Sequence, residues 1–317
     1  MKRRLITTAV GLVLFLGAFA QEKVVSIKYG DMDHWLTRKI HESGIIGGNT
    51  KMLYELGPTQ VIDGNEAYTN KGGSPWANSN VMAKVVGIVK TNTSVYPEKR
   101  GDGYCAKLET HIEKVKVLGM VNITVLASGS LFLGDMKEPI TGTKDGEKAL
   151  NVGVPFNQRP KAVRFDYKVK MSGQPDRIKQ NGFSRKSVVK GQDCAIMTCV
   201  LQKRHEDSEG NIIAKRIGTA VVRYNKSTDW KNKATYEIHY GDISRTSYYD
   251  AEIMRLGVGD YYARNSKGKS VMIKENGWAA ADETPTHMIL QFTSSLGGAF
   301  IGSPGNTFWV DNVELVY

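Results

Sequence analysis

The chain is poor in cysteine and lacks the patterns that mark familiar catalytic centres. Its 317 residues hold only 3 cysteines, and these show no metal-ligand spacing. There is no HExxH, no GxSxG and no cluster of alternating acids of the type used by glycosidases, so no catalytic machinery is visible. Beyond the N-terminus no segment approaches the ~20 consecutive apolar residues of a membrane span. Internal repeats, low-complexity tracts and breaks in composition are also missing, which favours one large unit over two small ones.

What is present begins with an export signal. Lys2, Arg3 and Arg4 precede an apolar run from Leu5 to Phe19, and Ala18-Phe19-Ala20 offers small residues for cleavage before Gln21. Residues 1–20 are therefore read as a signal peptide and 21–317 as the mature domain, placed in the periplasm or at the cell surface. No Cys follows the apolar run, which argues against a lipoprotein anchor. Cleavage removes three basic residues and takes the formal charge from +11 to about +8. A basic surface favours acidic partners, but in an exported chain it does not point to nucleic acid.

Three cysteines in an exported chain leave one disulfide arithmetically open. Cys194 and Cys199 lie on one apparent strand, facing opposite sides about 16 Å apart, too far to pair with each other. Only Cys105 could bridge either one. Buried free thiols are the expected state.

Period-two patterns dominate the chain. Val163, Phe165, Tyr167 and Val169 alternate with Arg164, Asp166, Lys168 and Lys170, the pattern of a half-buried strand. Ala195–Gln202 and Ile212–Tyr224 flank a polar loop with Gly210 and read as a central hairpin. Further strands are expected near Val24–Lys28, Lys84–Lys90, Cys105–Thr110, Val115–Ala127, Ala234–Tyr240, Ser270–Lys274 and Thr286–Ser294. One short helix is expected near the N-terminus, because Met32, Trp35, Leu36 and Ile40 fall at helical spacing behind Asp31 or Asp33, with Gly44 as a stop. Many strands and one helix make an all-β sandwich. From Gly57 to Asn80 the chain forms a long loop rich in Gly, Asn, Pro and Ser, and such loops often carry function.

The closing strand carries a conflict. From Thr307 onward, strict alternation sets Trp309, Asp311, Val313, Leu315 and Tyr317 on one face. A carboxylate in that apolar row needs a cation, an Arg or backbone donors, unless a bulge at Asp311-Asn312 turns it outward.

Several segments, read in order, resemble a known family. They are Gly30-Asp31-Met32-Asp33-His34-Trp35, Ser74-Pro75-Trp76-Ala77-Asn78-Ser79-Asn80, Gly129-Ser130-Leu131-Phe132-Leu133-Gly134 and Val154-Pro155-Phe156-Asn157-Gln158-Arg159-Pro160. Phe165-Asp166-Tyr167-Lys168, Ser294-Ser295, Gly302-Ser303 and Val310-Asp311-Asn312-Val313 complete the set. The order resembles the secreted Bacteroidetes family called the putative carbohydrate metabolism domain. The resemblance implies a jelly-roll-like β-sandwich similar to carbohydrate-binding modules, and a role in polysaccharide utilisation at the cell envelope.

Sugar recognition needs flat apolar faces for a pyranose ring, surrounded by planar hydrogen-bonding groups. Trp76 with Asn78 and Asn80 supplies both, and Trp76 either stacks on sugar or pins the loop to the core. Arg159 either grips a ligand or neutralises a buried Asp such as Asp311. Tyr248 and Tyr249 either line a cleft or pack at a sheet edge. A structural calcium on Asp31, Asp33 and Asp311 is the one cofactor considered, with a helix cap as the plainer role for Asp31 or Asp33. Asp250 with Glu252, Glu109 with His111, and His34 with His41 read as solvated surface groups.

The expected function is a non-catalytic protein that binds polysaccharide or oligosaccharide, with other envelope proteins as further partners. The alternatives are a polysaccharide lyase or glycoside hydrolase acting on acidic glycans, and a structural adhesin subunit at the surface.

Overall fold

The computed structural model describes residues 22–68, 70, 73–117, 121–142, 146–182 and 185–317. The signal peptide expected at 1–20 lies outside the described residues.

The fold is all-β, built on two packed sheets. One has the order Thr228–Glu237, Ala162–Lys170, Thr307–Val316, Gly103–Glu109, Val95–Arg100, with Val24–Ser26 also pairing Thr307–Val316. The closing strand therefore sits at the centre of its sheet. The other sheet runs Leu150–Val152, Ser130–Met136, His287–Thr293, Ala195–Glu206, Ile212–Tyr224, Ser270–Trp278, Tyr262–Arg264, with Trp76–Asn78 added beside Ser130–Met136.

The inner faces meet in one core, as alternation requires. Val163, Phe165, Phe308 and Val310 from the first sheet pack against Leu131, Met197, Cys199, Leu290 and Phe292 from the second. Phe165 and Phe292 cross the gap edge to face, 5.0 Å between ring centres. The strand Ala195–Glu206 is nearly all apolar up to Leu201 because its other side is covered there too: Ile196 joins Cys194, Val221 and Ile253, while Val200 joins Phe132 and Ile289.

The expected N-terminal helix is a strand. Trp35–His41 pairs antiparallel with Thr50–Leu56 and parallel with Gln60–Asp63. Leu36 and Ile40 are four residues apart, a spacing that serves a strand face as well as a helix face, and partners on both sides decide for the strand. The only α-helix among the described residues is Ala251–Met254, capped by the Asp250 side chain, with Asp250 and Glu252 both ion-paired to Arg223. Lys84–Lys90 is also not one strand but a hairpin, Val81–Val85 with Ile88–Asn92, turned at Val86 and Gly87 with positive φ.

The conflict in the closing strand is resolved by a bulge. Register shifts between Arg164 and Asp166 opposite this strand, and Asn312 takes φ 51°. Phe308 and Val310 point into the core before the bulge, Val313 and Leu315 after it. Asp311 stays on the outer face beside Trp309.

Candidate functional site

A cleft of about 640 Å³ opens where the small sheet of Trp35–His41 and Thr50–Leu56 meets one end of the second main sheet. That volume suits a small ligand, within the usual range of about 300–1,000 Å³. Strand Thr50–Leu56 delivers Glu55, and the long loop delivers Tyr68 and Asn70. Strand Ser130–Met136 brings Asp135 and Met136, followed by Lys137 and Glu138, and Arg264 and Gly268 complete the lining.

Charge is managed in pairs beneath this cleft. Arg38, 2% exposed, donates from Nη2 to Glu138 Oε2 at 2.6 Å and from Nη1 to Glu138 Oε1 at 3.1 Å. Glu138 also accepts the backbone N–H groups of Met82 at 2.9 Å and Tyr68 at 3.0 Å. Glu55 receives less: Asn78 Nδ2 at 3.0 Å and Arg38 Nη1 at 3.4 Å. Burial, reinforced by neighbouring Glu138, pushes the Glu55 carboxyl up to about 8, so it is neutral near pH 7. Asp135 pairs with Arg264 Nη1 and accepts Asn151 Nδ2 at 2.7 Å.

The structure gathers Trp76, Asn78 and Asn80 at this cleft but engages them structurally. Trp76 is 1% exposed, donates its indole N–H to the Lys28 carbonyl at 2.9 Å and packs near Phe292. It pins the loop; as a correction, its ring is not an exposed stacking platform. Asn80 spends both amide hydrogens on the carbonyls of Tyr54 and Val95, and its oxygen accepts from the amides of Ser94 and Val95. Asn78 donates to Tyr54 and Glu55 and accepts from the Asn80 amide. These amides organise the floor of the cleft.

Arg159, Tyr248 and Tyr249 are not among the residues lining the cleft. Arg159 donates to the carbonyls of Ala281 and Glu283 and stacks on Tyr240 at 4.3 Å, rather than pairing with Asp311. Tyr248, 43% exposed, stacks on His239 at 4.0 Å, and the half-buried Tyr249 closes a turn on Thr246.

Asp31, Asp33 and Asp311 do converge, on a second, more open depression of about 420 Å³ that also holds Arg100, Tyr104 and Asn312. Arg100 occupies the position of the counter-ion. It pairs with Asp311 and with Asp166 (2.9 Å), donates to Asn232 Oδ1 at 2.7 Å and lies over Trp230 at 3.9 Å. Asp33 accepts the Tyr104 N–H at 2.7 Å instead of capping a helix, and no group among the described residues has a metal-ligand arrangement. The residues present do not fit a calcium site. A Cβ at Gly103 would lie 2.0 Å from Asp33 Oδ1, so any larger residue there displaces the Asp33 carboxylate.

Other motif residues converge on a buried carboxylate, Asp193. It accepts from Ser295 Oγ (2.6 Å), Asn306 Nδ2 (2.9 Å) and the backbone amides of Cys194, Leu296 and Ser303. A Cβ on Gly302 would lie 2.2 Å from Ser295 Oγ. Ser294-Ser295 and Gly302-Ser303 thus close the loop before the final strand.

A family model described as putative carbohydrate metabolism domain matches residues 59–316. The chain belongs to that family. The span matched to the carbohydrate metabolism domain includes Tyr68, Asn70, Asp135, Lys137, Glu138 and Arg264, while Arg38 and Glu55 precede it. No curated protein matches the chain. Sequence reasoning missed Glu55, Tyr68, Asp135, Glu138 and Arg264. One signal was available for Glu55, a carboxylate between Tyr54 and Leu56 in a strand-forming run.

Proposed function

We propose that this chain is an exported, non-catalytic carbohydrate-binding protein of the cell envelope, and that the cleft at Tyr68, Asp135 and Arg264 holds a segment of polysaccharide or an oligosaccharide. The observation that carries this reading is the cleft itself, in a chain of a carbohydrate-related family. Its lining joins the ring of Tyr68, the more exposed of its two aromatic residues, to the planar amide of Asn70 and to the Asp135–Arg264 pair. Those groups suit a ring face and its vicinal hydroxyls. The basic N-terminus followed by Leu5–Phe19 supports export to the periplasm or surface.

Calorimetric titration of residues 21–317 against an oligosaccharide panel tests the proposal. Binding tighter than millimolar, weakened at least tenfold by Tyr68→Ala, is the expected result. No binding across the panel, or binding that Tyr68→Ala leaves intact, removes the cleft assignment.

A hydrolase is the second reading, favoured by one observation. Glu55, buried in the floor of a cleft that also contains Asp135, has its carboxyl raised to about 8, the protonation a general acid requires. Release of shorter products, abolished by Glu55→Gln, would support it; none at high protein loading would end it.

A further inference from the structure

The cleft lining presents one exposed cation that no carboxylate among the described residues pairs. Glu138 is closed by the Arg38 fork and two backbone amides, which spends that pair on itself. Asp135 is taken by Arg264 and Asn151. Asn151 in turn accepts the Arg264 backbone N–H at 2.9 Å, which fixes this arrangement from both ends. Glu55 contributes no charge near pH 7, because burial keeps its proton on.

Lys137 is left over. It is exposed on the cleft lining and has no carboxylate partner among the described residues. Arg264 meets Asp135 through Nη1, and its guanidinium has no other carboxylate partner among the described residues. The turn that follows it, closed by the Gly268 N–H on the Asn265 carbonyl at 2.8 Å, sets Gly268 in the rim between Lys267 and Lys269 in the chain. The spare electrostatic capacity therefore faces the ligand and has one sign. An unmatched ammonium and a guanidinium lining one cleft favour an anion over a neutral hydroxyl.

We infer that the ligand of this cleft is an anionic saccharide whose carboxylate or sulfate is held by Lys137 and the uncommitted N–H groups of Arg264. This rests on the cleft being the glycan site, and it adds the class of glycan.

The test compares three probes of equal length at low and at physiological salt: an oligogalacturonate, a sulfated oligosaccharide and a neutral malto-oligosaccharide. The inference expects one charged series to bind at least tenfold tighter than the neutral one, with the margin narrowing as salt rises. The preferred series identifies the anion as carboxylate or sulfate. Lys137→Glu should weaken the charged ligand at least tenfold and the neutral one by a much smaller factor. Lys226→Glu, at an exposed position in the link between Ile212–Tyr224 and Thr228–Glu237, should change neither. Equal affinity for charged and neutral probes overturns the inference while leaving the glycan reading in place. Equal weakening by Lys226→Glu also overturns it, because attraction is then spread over the whole basic surface. Failure of all three probes to bind removes the glycan site itself.

Discussion

Arg100 and Asp311, 211 residues apart in sequence, form an ion pair on the outer face of the first sheet. The guanidinium also binds Asp166 on the neighbouring strand, so one cation serves two carboxylates in the centre of the sheet. Burial and the nearby Asp166 raise Asp311 to about 6, against the pull of Arg100, whereas the Lys233 amide, Asn312 and Arg100 hold Asp166 below the usual carboxylate range despite its burial.

Removing that cation should be costly. Arg100→Met leaves two largely buried carboxylates without their partner, and a loss of about 2–4 kcal/mol is expected, less than for a fully dry pair because the guanidinium is partly exposed. Urea unfolding measures it. A loss below about 0.5 kcal/mol would show that the acids find other partners.

Glu55 predicts a pH dependence of definite sign. Its folded value, about 8, lies above the ordinary 4.5, so the folded state holds a proton that the unfolded state releases between those values. Its contribution is complete below about pH 4.5 and is lost as pH rises towards 8. Relative to wild type, Glu55→Gln should therefore become progressively more stable from pH 5 to pH 8. Parallel stability curves for the two proteins would contradict the assignment.

Trp76→Ala is expected to act on the fold. The indole is buried and hydrogen-bonded to Lys28, and truncating such a side chain costs about 3–5 kcal/mol. Chemical denaturation should show that loss. A stable Trp76→Ala protein with selectively impaired sugar binding would return the ring to the ligand site.

Asp193→Ala leaves five donors without their acceptor, three of them backbone amides. A loss of at least about 3 kcal/mol is expected, with cleavage by protease appearing first in the segment 294–306. Limited proteolysis with mass spectrometry would locate the cut.

The three cysteines are buried free thiols, and burial pushes Cys105 and Cys199 up to about 12 and Cys194 up to about 11. The native protein should resist thiol reagents, and its melting temperature should be unchanged by reductant. A drop in melting temperature on reduction would reveal a disulfide.

The strands were legible wherever one face is buried and the other wet, as in Ala162–Lys170, where the alternation of Val163, Phe165 and Val169 with charged residues can hardly be read another way. The closing strand could be read only up to Asp311, because a bulge reverses every later side chain and depends on the neighbouring strand. Trp35–His41 was misread as helix because Leu36 and Ile40 fit both periods and its strand partners lie further along the chain. The cleft was half legible. Trp76, Asn78 and Asn80 lead to it through their composition, but their engagement in its floor depends on the carbonyls of Lys28, Tyr54 and Val95, which no side-chain pattern reports. Asp135 and Arg264 lie 129 positions apart and meet only through the pairing of strands in the second sheet.

The most direct test is a crystal structure of residues 21–317 with the oligosaccharide that binds most tightly in solution. The account predicts sugar density in the cleft, one ring against Tyr68 and polar contacts to Arg264 and Lys137. Density elsewhere, with the cleft holding only water, would contradict it.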